Sequence, residues 1–163
     1  MSPAIEVLHR DPTLVICARG PLMVANWWEA PSEAQMRLLQ GLADAREPRF
    51  PGGTAYAQFV LAGTPSFSPD VRKRAEELTT QHFSLGIAHV IEMGGLAGAA
   101  VRAFLGGLLL LTRGSKPMKV FAESSPAADW MARCLRMGGE PGWSTDDVLA
   151  LRERAARERP ASV

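Results

Sequence analysis

Three histidines are the first candidates for chemistry in this chain of 163 residues, because imidazole acts as acid, base and metal ligand near neutral pH. His9, His82 and His89 fall in three different predicted elements. No two of them stand at the i, i+4 spacing that places two imidazoles on one face of a helix. The pattern predicts no metal site. It also predicts no cofactor, since no phosphate-binding glycine loop is found.

Glu92 is the best-placed carboxylate, at the end of a predicted strand and just before Gly94. Open α/β sheets carry functional groups at this edge, where a carboxylate could act as a base or contact a ligand. The alternative is an ion pair, with Arg102 as the partner. The neighbouring sequence offers no nucleophile or second acid, so we predict no catalytic residue and rank an enzyme as the weakest hypothesis.

Hydroxyl groups cluster in the segment 64–68, directly before a predicted helix. Backbone N–H groups and the helix dipole favour negative charge at such a start. Thr64, Ser66, Ser68 and Asp70 are therefore predicted to form a partner-binding or phosphate-binding loop. The alternative is that Ser68 only caps the helix.

A second candidate site is aromatic. Trp27 and Trp28 are adjacent in a segment to which we assign no element, and large aromatics line pockets or the rims of interfaces. Together with Glu92 and Phe104 they are predicted to form a pocket for a small apolar molecule or a lipid. The alternative is that a tryptophan closes the end of a core.

The elements that would position these residues alternate between strand and helix. Short β-branched runs with a polar turn between them predict an opening hairpin. The predicted strands are 5–9, 14–18, 56–61, 85–93 and 118–122, and the predicted helices are 32–46, one that Ser68 begins, 96–111, one that Ser124 or Ser125 caps, and one from Ser144 to Arg159.

This order predicts an α/β fold with a single mixed β-sheet, an N-terminal hairpin and crossover helices over residues 1–140. Residues 141–163 carry alternating charges and few apolar anchors. They are predicted to form a charged helical tail that is loosely docked or frayed.

The predicted helix 96–111 is the most apolar, with Arg102 as its only ionised side chain. Gly98, Arg102 and Gly106 recur at one-turn spacing, and small residues at this spacing permit close backbone approach. We predict that they form an interface with a protein partner or a second copy of the chain. The alternative is packing against the sheet and a neighbouring helix.

Composition excludes some partners. The chain has 18 basic and 17 acidic residues, without the excess of positive charge that nucleic acid requires. Polar residues and glycines interrupt the apolar stretch 85–111, so no membrane span is predicted. No secretory signal is evident, and Cys17 and Cys134 form no short-range motif, so we expect a cytoplasmic protein with reduced thiols.

The order of elements over residues 4–137 resembles the STAS domain, and in particular its bacterial SpoIIAA-like branch. The likeness is carried by 89–93 (HVIEM) leading into 101–104 (VRAF), and by 119–121 (KVF) followed by 127–131 (AADWM). It implies a non-enzymatic signalling module that binds protein partners and, in some members, nucleotides or lipids.

The resemblance also implies a phosphorylatable serine at the start of the second helix, which is the position of Ser68. The family's switch is an Asp-Ser pair, whereas Phe67 precedes Ser68 here, so the resemblance carries over the surface and not the modification. We therefore predict an interaction module that docks a protein partner or a second copy through this loop and the third helix. The alternative is a small-molecule or lipid-binding protein with an apolar pocket.

Overall fold

The structure is a computed structural model that describes residues 3–63, 68–111 and 116–162, except for the side chains of Leu108 and Leu111. These residues form one six-stranded sheet flanked by helices. The strands are β1 (Glu6–Arg10), β2 (Leu14–Arg19), β3 (Leu22–Trp27), β4 (Ala55–Val60), β5 (Gly86–Ile91) and β6 (Met118–Phe121). The helices are α1 (Glu33–Arg46), α2 (Pro69–Gln81), α3 (Gly95–Leu111), α4 (Ser124–Met137) and α5 (Thr145–Arg157), with a 3-10 turn at Glu47–Arg49.

The six strands lie side by side in the order in which they occur along the chain. β1, β2 and β3 pair antiparallel, whereas β3, β4, β5 and β6 pair parallel. Parallel neighbours need crossover connections, which α1, α2 and α3 provide. The predicted mixed α/β sheet with an opening hairpin is confirmed.

β3 lies in a segment to which the sequence analysis assigned no element. All of its residues are buried, so it lacks the alternation of apolar and polar residues that marks a half-exposed strand. Only a tight turn separates it from β2, and Gly20 takes a φ of 52° there. The last residue of this strand is Trp27.

Two cores cover the two faces of the sheet. One contains the buried residues of α1 and α2, among them Leu39 and Leu78, and α3 adds a smaller cluster on the same face of β5. The other contains the buried residues of α4 and α5, among them Leu135 and Leu151.

The helix starts agree with the sequence analysis except at α4. Ser68 caps α2, with its side chain accepting a hydrogen bond from the Val71 N–H, and Ser144 opens α5 in a capping box with Asp147. α4 instead begins at Ser124, and its N-cap residue, Glu123, makes no side-chain cap. The Ser124 hydroxyl is directed elsewhere, to the Glu92 carboxylate.

The helix of the predicted tail, α5, is firmly docked, contrary to expectation. Val148, Leu151 and Ala155 of α5 are completely buried, and the helix packs on α4, β2 and β3. Residues at this spacing share one helical face, so these side chains anchor a helix whose other face is highly charged. No helix in the described ranges is both long and apolar enough to span a membrane.

Candidate functional site

The third helix touches the sheet through a narrow face. Val101 and Leu105 are buried against Ile91 at the end of β5, and they form a core cluster of their own. Gly98 is buried as well, because the backbone of Met93 passes so close that an added Cβ would lie 2.7 Å from the Met93 carbonyl carbon. The absence of a side chain at Gly98 therefore allows α3 to lie close to the backbone of Met93.

Arg102, the only ionised side chain of α3, also points inward. Its guanidinium donates hydrogen bonds to the backbone carbonyls of Ile91 and Met93, both at 3.3 Å. The predicted interface residues Gly98 and Arg102 thus make intramolecular contacts. Gly106, the third, is partly exposed, with open space where a Cβ would be.

The outer side of α3 is entirely apolar. Leu96 is 91% exposed and Leu110 is 63% exposed. The exposed residues between them are Ala99, Ala100, Ala103 and Gly107, at the spacing of one helical face. We call these six residues the α3 stripe. The α3 stripe was not predicted from the sequence, because a helix that is apolar almost all round shows no contrast between its inner and outer faces.

The predicted loop before α2 is described only from Ser68 onward, and Thr64 and Ser66 lie outside the described residues. The Ser68 hydroxyl accepts a hydrogen bond from the Val71 N–H at 3.2 Å, which is the contact of a helix N-cap. Asp70 is exposed in the first turn of α2, where its charge complements the helix dipole.

The structure does not bring the predicted pocket residues together. Trp27 is buried on the face that carries α1 and α2, whereas Trp28 packs on the α5 side with the Arg159 guanidinium 4.4 Å from its ring. Phe104 is partly buried on α3, and the Arg72 guanidinium lies 5.3 Å from its ring. Glu92 forms an ion pair with α5 instead of lining a pocket with these residues.

Glu92 pairs with Arg152 of α5 at 2.5 Å, and accepts a hydrogen bond from Ser124. Arg102, the partner expected from the sequence, bonds to carbonyl groups instead. Both members of the Glu92–Arg152 pair are largely buried, so the pair links the carboxyl end of β5 to α4 and α5. This geometry gives Glu92 a structural role.

A cleft does open at the carboxyl ends of β3, β4 and β5, and Trp27 is one of its walls. Its cavity volume is about 40 Å³, and it opens to solvent. The remaining lining residues are Glu29, Ala30, Pro31, Gln58, Val60, Ala62, Gly63, Met93, Val101 and Leu105. Of the four predicted pocket residues, Trp27 alone lines it.

A chain of hydrogen bonds runs beneath this cleft, from strand to strand. The Trp27 indole N–H donates to the Tyr56 hydroxyl at 3.4 Å, and that hydroxyl donates to the Gln58 carbonyl oxygen at 3.2 Å. The Gln58 amide then donates to Nδ1 of His89 at 2.7 Å. Burial lowers the pKa of His89 to about 4, so its ring is neutral at pH 7 and can accept this bond.

The other two histidines contact carboxylate groups away from the cleft. His9 contacts Asp11 at 2.8 Å in the turn after β1. His82 is buried between Asp44 and Glu47, at 3.1 and 2.9 Å. In the ranges that the structure describes, no group of three His, Cys, Asp or Glu side chains has the geometry to hold a metal ion.

Comparison with protein-family models, curated proteins and solved structures found no match for this chain.

Proposed function

We propose that this protein is a non-enzymatic interaction module that self-associates through the α3 stripe. The observation that carries the proposal is the apolar outer face of α3, which the described residues leave uncovered, with Leu96 and Leu110 largely exposed at its two ends. A contiguous exposed apolar patch of this kind marks an interaction site more often than a solvated surface. The uncharged face favours an equally uncharged occupant, since a charged partner would lose hydration without gaining an ion pair.

The layout of the stripe favours a second copy of the chain as that occupant. A two-fold axis through Ala103 would place Leu96 opposite Leu110 of the other copy, and Ala99 opposite Gly107. Large residues would then meet large ones at the ends and small residues would meet at the centre. Two α3 helices that cross at Ala103 could therefore approach closely at the centre, and the leucines would fill the space where the helices diverge.

The expected dimer is weak and reversible. α3 has 17 residues and is about 25 Å long, so one helix pair covers less than the roughly 800 Å² per partner of a standard interface. We expect a dissociation constant in the micromolar range, on the order of −8 kcal/mol. Sedimentation velocity between 1 and about 200 µM covers this range.

A charge at the symmetry axis gives the sharpest test. Ala103→Glu and Ala103→Lys each place two like charges face to face, so each variant alone should be monomeric. A 1:1 mixture of the two should form a heterodimer, because the charges are then opposite. Ala156→Glu changes an exposed alanine of α5 and is the matched control, which should dimerise like the wild type.

The proposal fails if the wild type is monomeric at 200 µM, or if Ala103→Glu dimerises as well as the wild type. A mixture that does not associate, although the wild type does, would refute the two-fold arrangement. Association of the wild type only with a different protein from the host would replace the second copy with a heterologous partner.

A further inference from the structure

The cleft at the carboxyl ends of β3, β4 and β5 has a chemical character of its own. Its walls are apolar side chains, with Trp27, Met93 and Leu105 among them. The polar side chains in its lining are Gln58 and Glu29. Small-molecule sites commonly combine mostly apolar walls with one or two well-placed polar groups.

Gln58 is held in place from beneath. Tyr56 donates to its carbonyl oxygen and its amide donates to His89, so the carboxamide is bound on both sides. A carboxamide has two N–H donors and two acceptor lone pairs. Within the described residues one donor and one acceptor lone pair of Gln58 are therefore without a partner, in a side chain that lines the cleft.

Glu29 sets the charge preference of the cleft. It is exposed at the rim, and it makes no ion pair within the described part of the chain. Its carboxylate repels anionic groups that enter, and it attracts cationic ones. Carboxylate and phosphate ligands are therefore disfavoured.

The dimensions favour a flat ring over an acyl chain. The cavity volume of about 40 Å³ admits the edge of one ring but not a folded hydrocarbon chain. Because the cleft opens to solvent, the rest of a small molecule can extend out of it. An aromatic ring would stack or pack edge-on against the apolar walls there.

We propose that this cleft binds a small planar aromatic molecule, neutral or cationic, that presents an amide-type hydrogen-bonding group to Gln58. The site lies on the inner side of α3 and is separate from the α3 stripe. It does not depend on self-association, so binding can be measured with the Ala103→Glu variant as well as with the wild type.

Benzamide, benzamidine and benzoate are matched probes, since they share a ring and differ in the charge of one group. Two-dimensional ¹H–¹⁵N NMR can follow the Gln58 side-chain NH₂ and the Trp27 indole N–H during titration. We expect saturable shifts of both signals with benzamide and benzamidine, with millimolar dissociation constants. Benzoate should bind at least about tenfold more weakly.

Ala62→Phe places a ring in the cleft mouth and should abolish the shifts while the protein stays folded. Ala45→Phe makes the same change at an exposed alanine near the far end of α1, and should bind like the wild type. The proposal is overturned if the probes leave Gln58 and Trp27 unshifted, if benzoate binds as tightly as benzamide, or if Ala62→Phe binds normally.

Discussion

Two glycines of α3, Gly98 and Gly106, allow a direct test of how this helix is attached. Both take ordinary helical backbone angles, and both recur on the face that the sequence analysis assigned to an interface. A Cβ added at Gly98 would collide with the Met93 carbonyl, whereas at Gly106 no described atom lies within 4 Å of it. Alanine at the two positions should therefore have opposite effects on stability.

The size of the difference follows from two terms. Replacing glycine by alanine inside a helix adds about 1 kcal/mol to the free energy of unfolding. Gly106→Ala should show this gain in full. Gly98→Ala must also displace the Met93 backbone, at about 1–3 kcal/mol for overpacking, and it disturbs the carbonyl that accepts from Arg102. The two variants should thus differ by about 1–3 kcal/mol.

Both variants are best compared in the Ala103→Glu background, where self-association should not contribute to stability. For a chain of this size the expected difference corresponds to roughly 3–10 °C in melting temperature. Urea denaturation gives the free energies independently, with equal m values as the check on a two-state comparison. Equal stability of Gly98→Ala and Gly106→Ala would refute the close approach of α3 to Met93.

Two further predictions concern charged groups. Burial raises the pKa of Asp11, but the hydrogen bonds from His9, Thr13 and Gln35 outweigh burial and hold this pKa well below 3.8. The folded protein should therefore gain stability from the ionised Asp11 above about pH 4. This stability should be lost as the pH falls further. Asp11→Asn should flatten that acid dependence in urea denaturation between pH 2.5 and 7, and an unchanged slope would contradict the assignment. Glu92→Gln should lower the free energy of unfolding by about 1–2 kcal/mol, because it leaves Arg152 largely buried without its counter-ion. Glu153→Gln, which breaks the exposed 4.0 Å pair with Arg157, should change it by less than about 0.5 kcal/mol, and equal losses would argue against the link between β5 and α5.

The elements whose signals are local could be predicted from the sequence. α2 begins where Ser68 and Pro69 indicate, and α5 begins at the predicted Ser144, because cap chemistry depends on neighbours within one turn. The docking of α5 depends instead on β2, β3 and α4, which are distant in the chain. Its charge pattern was therefore a poor guide to how firmly it is held.

The candidate sites depend on distant contacts and were harder to predict. Arg152, the partner of Glu92, lies 60 positions away in the sequence. No local pattern indicates such a distant partner, so the prediction of Arg102 as the partner was wrong. Gln58 carries no motif, and its place in the cleft follows from the alignment of β4 with β5 beside His89. Adjacent residues at the end of a strand face opposite ways, which explains why Trp27 and Trp28 do not share a pocket.

The position of α3 in its layer explains why the described elements leave its outer face uncovered. α1 and α2 pack on each other, as do α4 and α5, whereas α3 packs chiefly on β5 and β6. α2 directs Lys73 and Glu76 to solvent, whereas α3 exposes Ala99, Ala103 and Leu110. A helix that is apolar on both sides is typical of a core, and its sequence is consistent with its surroundings only when both sides are covered. The proposed two-fold contact would supply that cover, because the second copy would pack on α3 in the way that α2 packs on α1.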